Sequence, residues 1–156
     1  MSLLALLMLT FKLQAIRVEL DEPESALRLA LPLLTALFGY QLLLSIGPPG
    51  APLLFMLGVL LAMNARVTYW ALRLAWRQRA LSGYGIALAF GLMVAAYLVR
   101  LINIGLGRFD AEILSQGYDA FLLALASLIG IILSNIAWLG LALERLVRAQ
   151  VVAAAS

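Results

Sequence analysis

Long apolar runs, broken by short charged segments, set the pattern of hydrophobic and polar positions along the chain. A helix needs about 20 apolar residues to cross the hydrocarbon core of a bilayer. On that measure the sequence predicts an all-α membrane bundle of five transmembrane helices, at residues 2–16, 29–46, 51–72, 83–106 and 118–143. The first is short for a span, and we expect Lys12 and Arg17 to snorkel to one interface.

The connections divide the chain into two parts. The residues GPPG at 47–50 form a turn that no helix passes through, so the second and third helices are predicted to be an antiparallel hairpin. Residues 144–156 follow the last predicted span and contain neither Gly nor Pro. The sequence therefore predicts a five-helix bundle over residues 1–143, and a continuation of the last helix over residues 144–156.

Basic residues predict the orientation of this bundle. They lie near the end of the first helix, in the segment 73–79 with its three arginines, and at Arg145 and Arg148. Only Lys and Arg count for orientation, so the acidic residues between the first two spans do not alter the prediction. Every basic cluster falls on one side if the N-terminus is outside and the C-terminus is cytoplasmic.

Composition excludes several classes of function. The chain is 65% hydrophobic and only 12% charged, whereas about 25% is typical of a soluble domain. Without Cys or His, it has no thiolate metal site, no usual haem ligand and no Ser-His or Cys nucleophile. We therefore expect that the chain is not an enzyme and that it binds no metal or cofactor. The net charge of +3 fits orientation in a membrane, with lipids as partners, better than binding to nucleic acid.

Polar residues within the fourth span predict a ligand site in the outer half of the bundle. Arg100 lies about six residues from the outer end of its span, and Asn103 follows on the same helix face. Ionisable groups inside spans are often functional. The alternative is that Arg100 snorkels outward as an anchor and meets Asp119 or lipid headgroups. The site predicted at this depth comprises Arg100, Asn103, Tyr40, Gln41 and Asp119.

A second polar set lies deeper in the predicted bundle. Asn64 on the third span and Ser134 and Asn135 on the fifth are at similar depth. Amides on neighbouring helices hydrogen-bond each other in membranes, so these residues are predicted to form a structural clamp. Small residues also recur every four positions, at Ala87 and Gly91 and again at Ala126 and Gly130. Such spacing favours close helix packing in lipid.

The C-terminal part of the chain resembles a known kind of sensor region. Its stretch FLLALASLIGIILSNIAWLGLALERLVRAQ is similar to the last transmembrane helix that precedes GGDEF diguanylate cyclase domains or, in related proteins, histidine kinases. The matching residues are Gly140 near the inner end of the span, followed by Glu144, Arg145 and Leu146. The resemblance implies a bacterial cytoplasmic-membrane protein, dimeric, with signal output through these four residues. No GGDEF motif or phosphoacceptor His is present, so we expect an isolated sensor region.

Two hypotheses of different class follow. In the first, the chain is a non-enzymatic transmembrane sensor or signalling module that binds a small or lipid-like ligand near its outer half. It would pass the signal through its last helix to a separate cytoplasmic output domain. In the second, the chain is a small structural or accessory subunit of a larger membrane complex, held by its small-residue stripes. Either a homo-oligomer or a larger complex is therefore expected.

Overall fold

A computed structural model describes residues 2–107 and 118–155, except for the side chains of residues 2–3 and 118–120. This part of the chain is all-helical, as predicted. The five helices are α1 (Ser2–Glu19), α2 (Ala26–Ile46), α3 (Ala51–Gln78), α4 (Leu81–Gly105) and α5 (Tyr118–Ala155).

Short local signals set the helix ends. Ser25 caps α2 by accepting a hydrogen bond from the backbone N–H of Arg28. Gly50, with a φ of 87°, makes the left-handed turn that starts α3 directly after the two prolines. The segment 73–79, predicted from the sequence as a connection, is instead helical as far as Gln78. Arg, Leu, Ala and Gln are good helix formers, and the arginines have carboxylate partners outside the helix.

Four helices, α2 to α5, are long and apolar enough to cross a membrane. The first helix, α1, has 18 residues and includes Lys12, Arg17 and Glu19, and it does not meet this criterion within the described residues. One apolar face of α1 is nevertheless among the most buried surfaces of the protein. Leu6, Leu9, Leu13 and Ile16 are between 0% and 6% exposed, and α1 packs chiefly on α3.

Small residues let α4 lie very close to both of its neighbours. A Cβ atom on Gly83 would stand 2.9 Å from the backbone of Ala75 on α3. A Cβ on Gly130 of α5 would stand 3.3 Å from the carbonyl oxygen of Ala89. The predicted role of small residues in helix packing is thus seen at Gly130. By contrast, α2 lies against α3 with only slight contact to α1, and Ala36 is its one buried residue.

Candidate functional site

The outer polar residues lie on two separate parts of the bundle. Arg100 is 9% exposed and lines a cavity of about 220 Å³ between α4 and α5, among small and apolar side chains. Arg100 and Asn103 both take part in interactions. Tyr40 and Gln41 belong to α2, and within the described residues the backbone of α2 does not approach that of α4 or α5. The side chain of Asp119 lies outside the described residues.

The inner polar residues differ in their partners and in their exposure. Asn64 is buried, and its amide donates to the carbonyl oxygen of Leu60 in its own helix, at 2.7 Å. Asn135 is exposed. Ser134 is 1% exposed, and its Oγ accepts a hydrogen bond from Lys12 Nζ at 2.7 Å. Within the described residues the backbones of α3 and α5 do not approach each other, so the clamp stays a prediction.

Lys12 is the residue whose position differs most from the prediction. Its side chain does not run out to an interface but crosses from α1 to α5, where Nζ meets Ser134. The ammonium also lies 5.1 Å from the centroid of the Phe90 ring on α4, within the range of a cation–π contact. Among the described residues, no carboxylate lies within ion-pair distance of Lys12. One half-buried positive charge therefore stands between α1 and α5 with only neutral neighbours described.

This ammonium lines a half-open cavity of about 300 Å³, to which α1, α3, α4 and α5 contribute residues. Met8, Leu60, Phe90, Met93 and Ile131 give the cavity walls that are mainly apolar. Three further side chains with polar groups, Asn64, Tyr97 and Ser127, also line it. Asn64 and Ser127 each already donate to a carbonyl oxygen of their own helix. Lys12 is thus the one positively charged group on a largely apolar surface.

The acidic connection between α1 and α2 is bound to arginines from two helices, α1 and α3, a group that we call the charged cluster. Glu24 is 7% exposed and pairs with Arg17 of α1 at 3.1 Å and with Arg66 of α3 at 2.9 Å. Glu22 pairs with Arg73 and Arg77 of α3. These acids do not count in the orientation rule, but they hold the connection against the bundle.

Two further contacts tie α1 into this cluster. The Gln14 side chain bonds to Glu24 in both directions, donating to its carbonyl oxygen and accepting from its N–H. The guanidinium groups of Arg17 and Arg73 lie 4.4 Å and 4.8 Å from the ring centroid of Trp70. Because each of these arginines also holds a carboxylate, the ring and the ion pairs position one another.

The last helix leaves the bundle beside the charged cluster, through contacts that we call the exit junction. Glu144 accepts hydrogen bonds from the hydroxyl and backbone N–H of Ser82, in the first turn of α4, where a helix dipole favours negative charge. Arg145 pairs with Glu19 at the end of α1, at 2.9 Å. Arg148 bonds to Gln78 at the end of α3. Three of the other helices therefore meet α5 where it emerges.

The predicted output residues have unequal positions at this junction. Glu144 and Arg145 make the contacts just described, whereas Leu146 is 61% exposed. Gly140 lies one turn before Glu144, and a Cβ there would stand 2.7 Å from Ser82 Oγ. A glycine at this position thus permits the close approach of α4 and α5.

The described residues include no group of three or more Asp, Glu, His or Cys side chains placed to hold a metal ion. Comparisons with protein-family models, with curated proteins and with solved structures found no match.

Proposed function

We propose that this chain is a non-enzymatic transmembrane sensor or signalling module, which binds a small or lipid-like ligand and passes a signal through α5. One observation carries the proposal. The helix α5 runs without a break for 38 residues, from Tyr118 to Ala155, a length of about 57 Å. That is almost twice the thickness of a hydrocarbon core. Residues 145–155 are all exposed, so one rigid element joins the bundle to the space beyond it.

The exit junction supports transmission along this helix. Glu144, Arg145 and Arg148 bind the ends of α4, α1 and α3. A rearrangement of the bundle that moves any of these ends alters the direction or rotation of the emerging helix. Signalling between sites requires such an element with more than one packing arrangement.

The exposed end of α5 supports pairing of two chains. Leu146, Val147, Val151 and Val152 are between 58% and 71% exposed, and exposed apolar residues at helical spacing are typical of helix–helix contacts. In the proposed arrangement two such helices lie side by side and continue into a diguanylate cyclase or histidine kinase output domain. This agrees with the sequence resemblance of the segment that contains Glu144 to Leu146.

The proposed topology places the N-terminus outside and the C-terminus in the cytoplasm of a bacterial inner membrane, with α1 as a fifth span. The 18 residues of α1 extend about 27 Å, close to the 30 Å of a hydrocarbon core. Lys12 and Arg17 each bind a protein side chain. Partners of this kind reduce the cost of a charge within a span.

A fusion of residues 1–156 to a diguanylate cyclase domain that lacks its own sensor tests the proposal. Two residues inserted after Gln150 rotate the output domain by about 200° relative to the bundle, while seven bring it back to within about 20°. We expect the two-residue insertion to change cyclase activity at least about fivefold. The seven-residue insertion is the matched control, and it should leave activity within about twofold.

If signals pass through α5, a change in the exit junction should also alter cyclase activity in a fusion without an insertion. Glu144→Gln in the uninserted fusion should alter cyclase activity, because the acceptor for Ser82 loses its charge. Asp21→Asn, which removes one negative charge from an exposed turn, is its control. Equal activity of all the fusions, at equal expression in the membrane, would contradict the sensor proposal.

The second candidate, an accessory subunit of a larger complex, is favoured by the outer face of α2. Leu31, Leu34, Phe38 and Ile46 are between 62% and 77% exposed, and only Ala36 of this helix is buried. A protein neighbour could cover this face as well as lipid does. A subunit of this kind should co-purify with a stoichiometric partner in mild detergent, and its fusions should be insensitive to helix phase.

A further inference from the structure

We infer that the cavity around Lys12 binds an anionic amphiphile, a molecule with one carboxylate head and an alkyl tail. The inference rests on the proposed function in supposing that the chain binds a small ligand. It specifies the site and the chemical class. The predicted outer site around Arg100 is a different place in the bundle, between α4 and α5.

The first step concerns charge. An ammonium carries three N–H donors, and one of those on Lys12 goes to Ser134 Oγ at 2.7 Å. The Phe90 ring, 5.1 Å away, faces the same ammonium but cannot neutralise it. A charge away from water is costly unless it is paired. Because the described neighbours supply no carboxylate, an anion from outside the chain is the partner that this position favours.

The second step concerns the number of charges. Lys12 is the one cation among the residues that line the cavity, and the arginines of the charged cluster already have Glu partners. One carboxylate balances one ammonium. A doubly charged phosphate would leave a negative charge in an apolar cavity, which is again unfavourable. A singly charged head therefore fits best.

The third step concerns the tail. Apart from Lys12, Asn64, Tyr97 and Ser127, the cavity is lined by apolar or small residues. Its volume of about 300 Å³ lies at the lower end of the range for small-molecule sites. That space suits a single alkyl chain and not the two acyl chains of a phospholipid. Since α1 supplies Lys12 and α5 supplies Ser134, the ligand would bridge the first helix and the output helix.

The test uses the full chain, purified in an uncharged maltoside detergent, with decanoate as the probe. Thermal unfolding is measured over a series of decanoate concentrations, because a ligand that binds only the folded state raises Tm. Decan-1-ol and decyltrimethylammonium, of equal chain length, separate recognition of the head from partition of the tail. We expect only decanoate to raise Tm, and native mass spectrometry to show one bound molecule per chain.

Two variants locate the effect. Lys12→Met keeps the length of the side chain but removes the charge, and it should weaken decanoate binding at least about tenfold. Arg28→Met is the matched control, because it also removes one positive charge, but from an exposed residue. It should bind decanoate as the unmodified chain does. Ala5→Leu fills the cavity while leaving Lys12 in place, and it should abolish binding, which keeps the inference testable if Lys12→Met fails to fold.

Several results would overturn the inference. They are equal stabilisation by decan-1-ol, binding that survives in Lys12→Met or in Ala5→Leu, or Lys12-dependent binding of a short-chain phosphatidylglycerol in place of decanoate. Failure here is distinct from failure of the proposed function. The fusion proteins test transmission through α5 without any added ligand, whereas these measurements test binding without any output domain.

Discussion

The two N-terminal helices occupy opposite environments, and the more apolar one is on the outside. α2 has 21 residues without acidic groups and is apolar enough to span a membrane, yet it buries only Ala36. α1 carries three charged residues in 18, yet four of its apolar side chains are at most 6% exposed. In a bilayer an apolar helix surface can face lipid at no cost. Polar residues therefore indicate which side of a helix faces the interior of the bundle.

Different forces therefore hold the two helices. Contacts with particular side chains position α1: Lys12 bonds to Ser134, Arg17 to Glu24, and the apolar face packs on α3. Backbone packing on α3 and the surrounding lipid are the main restraints on α2. We expect substitutions in α1 and its connection to be costly, and equivalent substitutions on the outer face of α2 to be mild.

The largest expected effect is in cysteine labelling, which tests whether α1 crosses the membrane. Each labelled position should react either fully or not at all. The chain has no Cys, so single cysteines at Ser2, Pro49 and Gln78 can be treated with an impermeant thiol reagent in intact cells. We expect Ser2→Cys and Pro49→Cys to be labelled and Gln78→Cys to remain unlabelled, because the first two positions are proposed to lie outside. Permeabilised cells, in which all three should react, provide the control.

Two outcomes would change the comparison. Labelling at Gln78 and not at Pro49 would invert the bundle. Labelling at Pro49 with protection at Ser2 would show that α1 enters the bundle without crossing the membrane, so that α1 and α2 would differ in topology as well as in packing.

The next effect concerns Glu24, which joins α1 to α3. Glu24→Gln should destabilise the folded bundle by about 3 kcal/mol, because two arginines lose the carboxylate that both contact in a mostly buried position. Unfolding in mixed micelles, followed by tryptophan fluorescence, measures the change. Asp21→Asn, in an exposed turn of the same connection, should be near neutral. A loss below about 1 kcal/mol, as for an exposed pair, would mean that the charged cluster does not hold α1.

The smallest expected effect compares leucines of the two helices. Leu13 is 1% exposed and Leu34 is 62% exposed. Leu13→Ala should cost about 2 kcal/mol through the cavity that it leaves, whereas Leu34→Ala should change stability by less than about 0.5 kcal/mol. The same unfolding assay measures both. Equal losses would show that a second protein surface covers α2, as the accessory-subunit hypothesis requires.

The sequence predicts most of this fold because apolar runs and strong turn residues act locally. The GPPG turn fixes the boundary between α2 and α3, as predicted. The predicted continuity of α5 past Arg148 is also confirmed. The end of α3 is predicted too early, because Arg73 and Arg77 were assigned to a loop. The carboxylate of Glu22, about 50 residues earlier in the chain, pairs with both arginines. The helix can therefore continue through them.

The candidate site is much harder to predict, because it depends on rotation of the helices about their axes. Depth along the chain correctly places Ser134 and Asn64 in the interior, but it does not show that Ser134 faces Lys12. The one sequence feature that points to this site is the presence of Lys12 within an apolar run. Snorkelling predicts that such a lysine reaches outward. The structure shows that a hydroxyl and a ring inside the bundle receive it instead.

The bond between Lys12 and Ser134 also constrains how the protein is made. These residues are 122 positions apart, and the Phe90 ring that faces the same ammonium lies between them in the chain. The ribosome therefore releases Lys12 long before Ser134 exists, whereas the second and third helices can pair as soon as their turn emerges. The first helix can meet α3 early, but the bond that joins it to α5 forms only after the C-terminal part of the chain has been made.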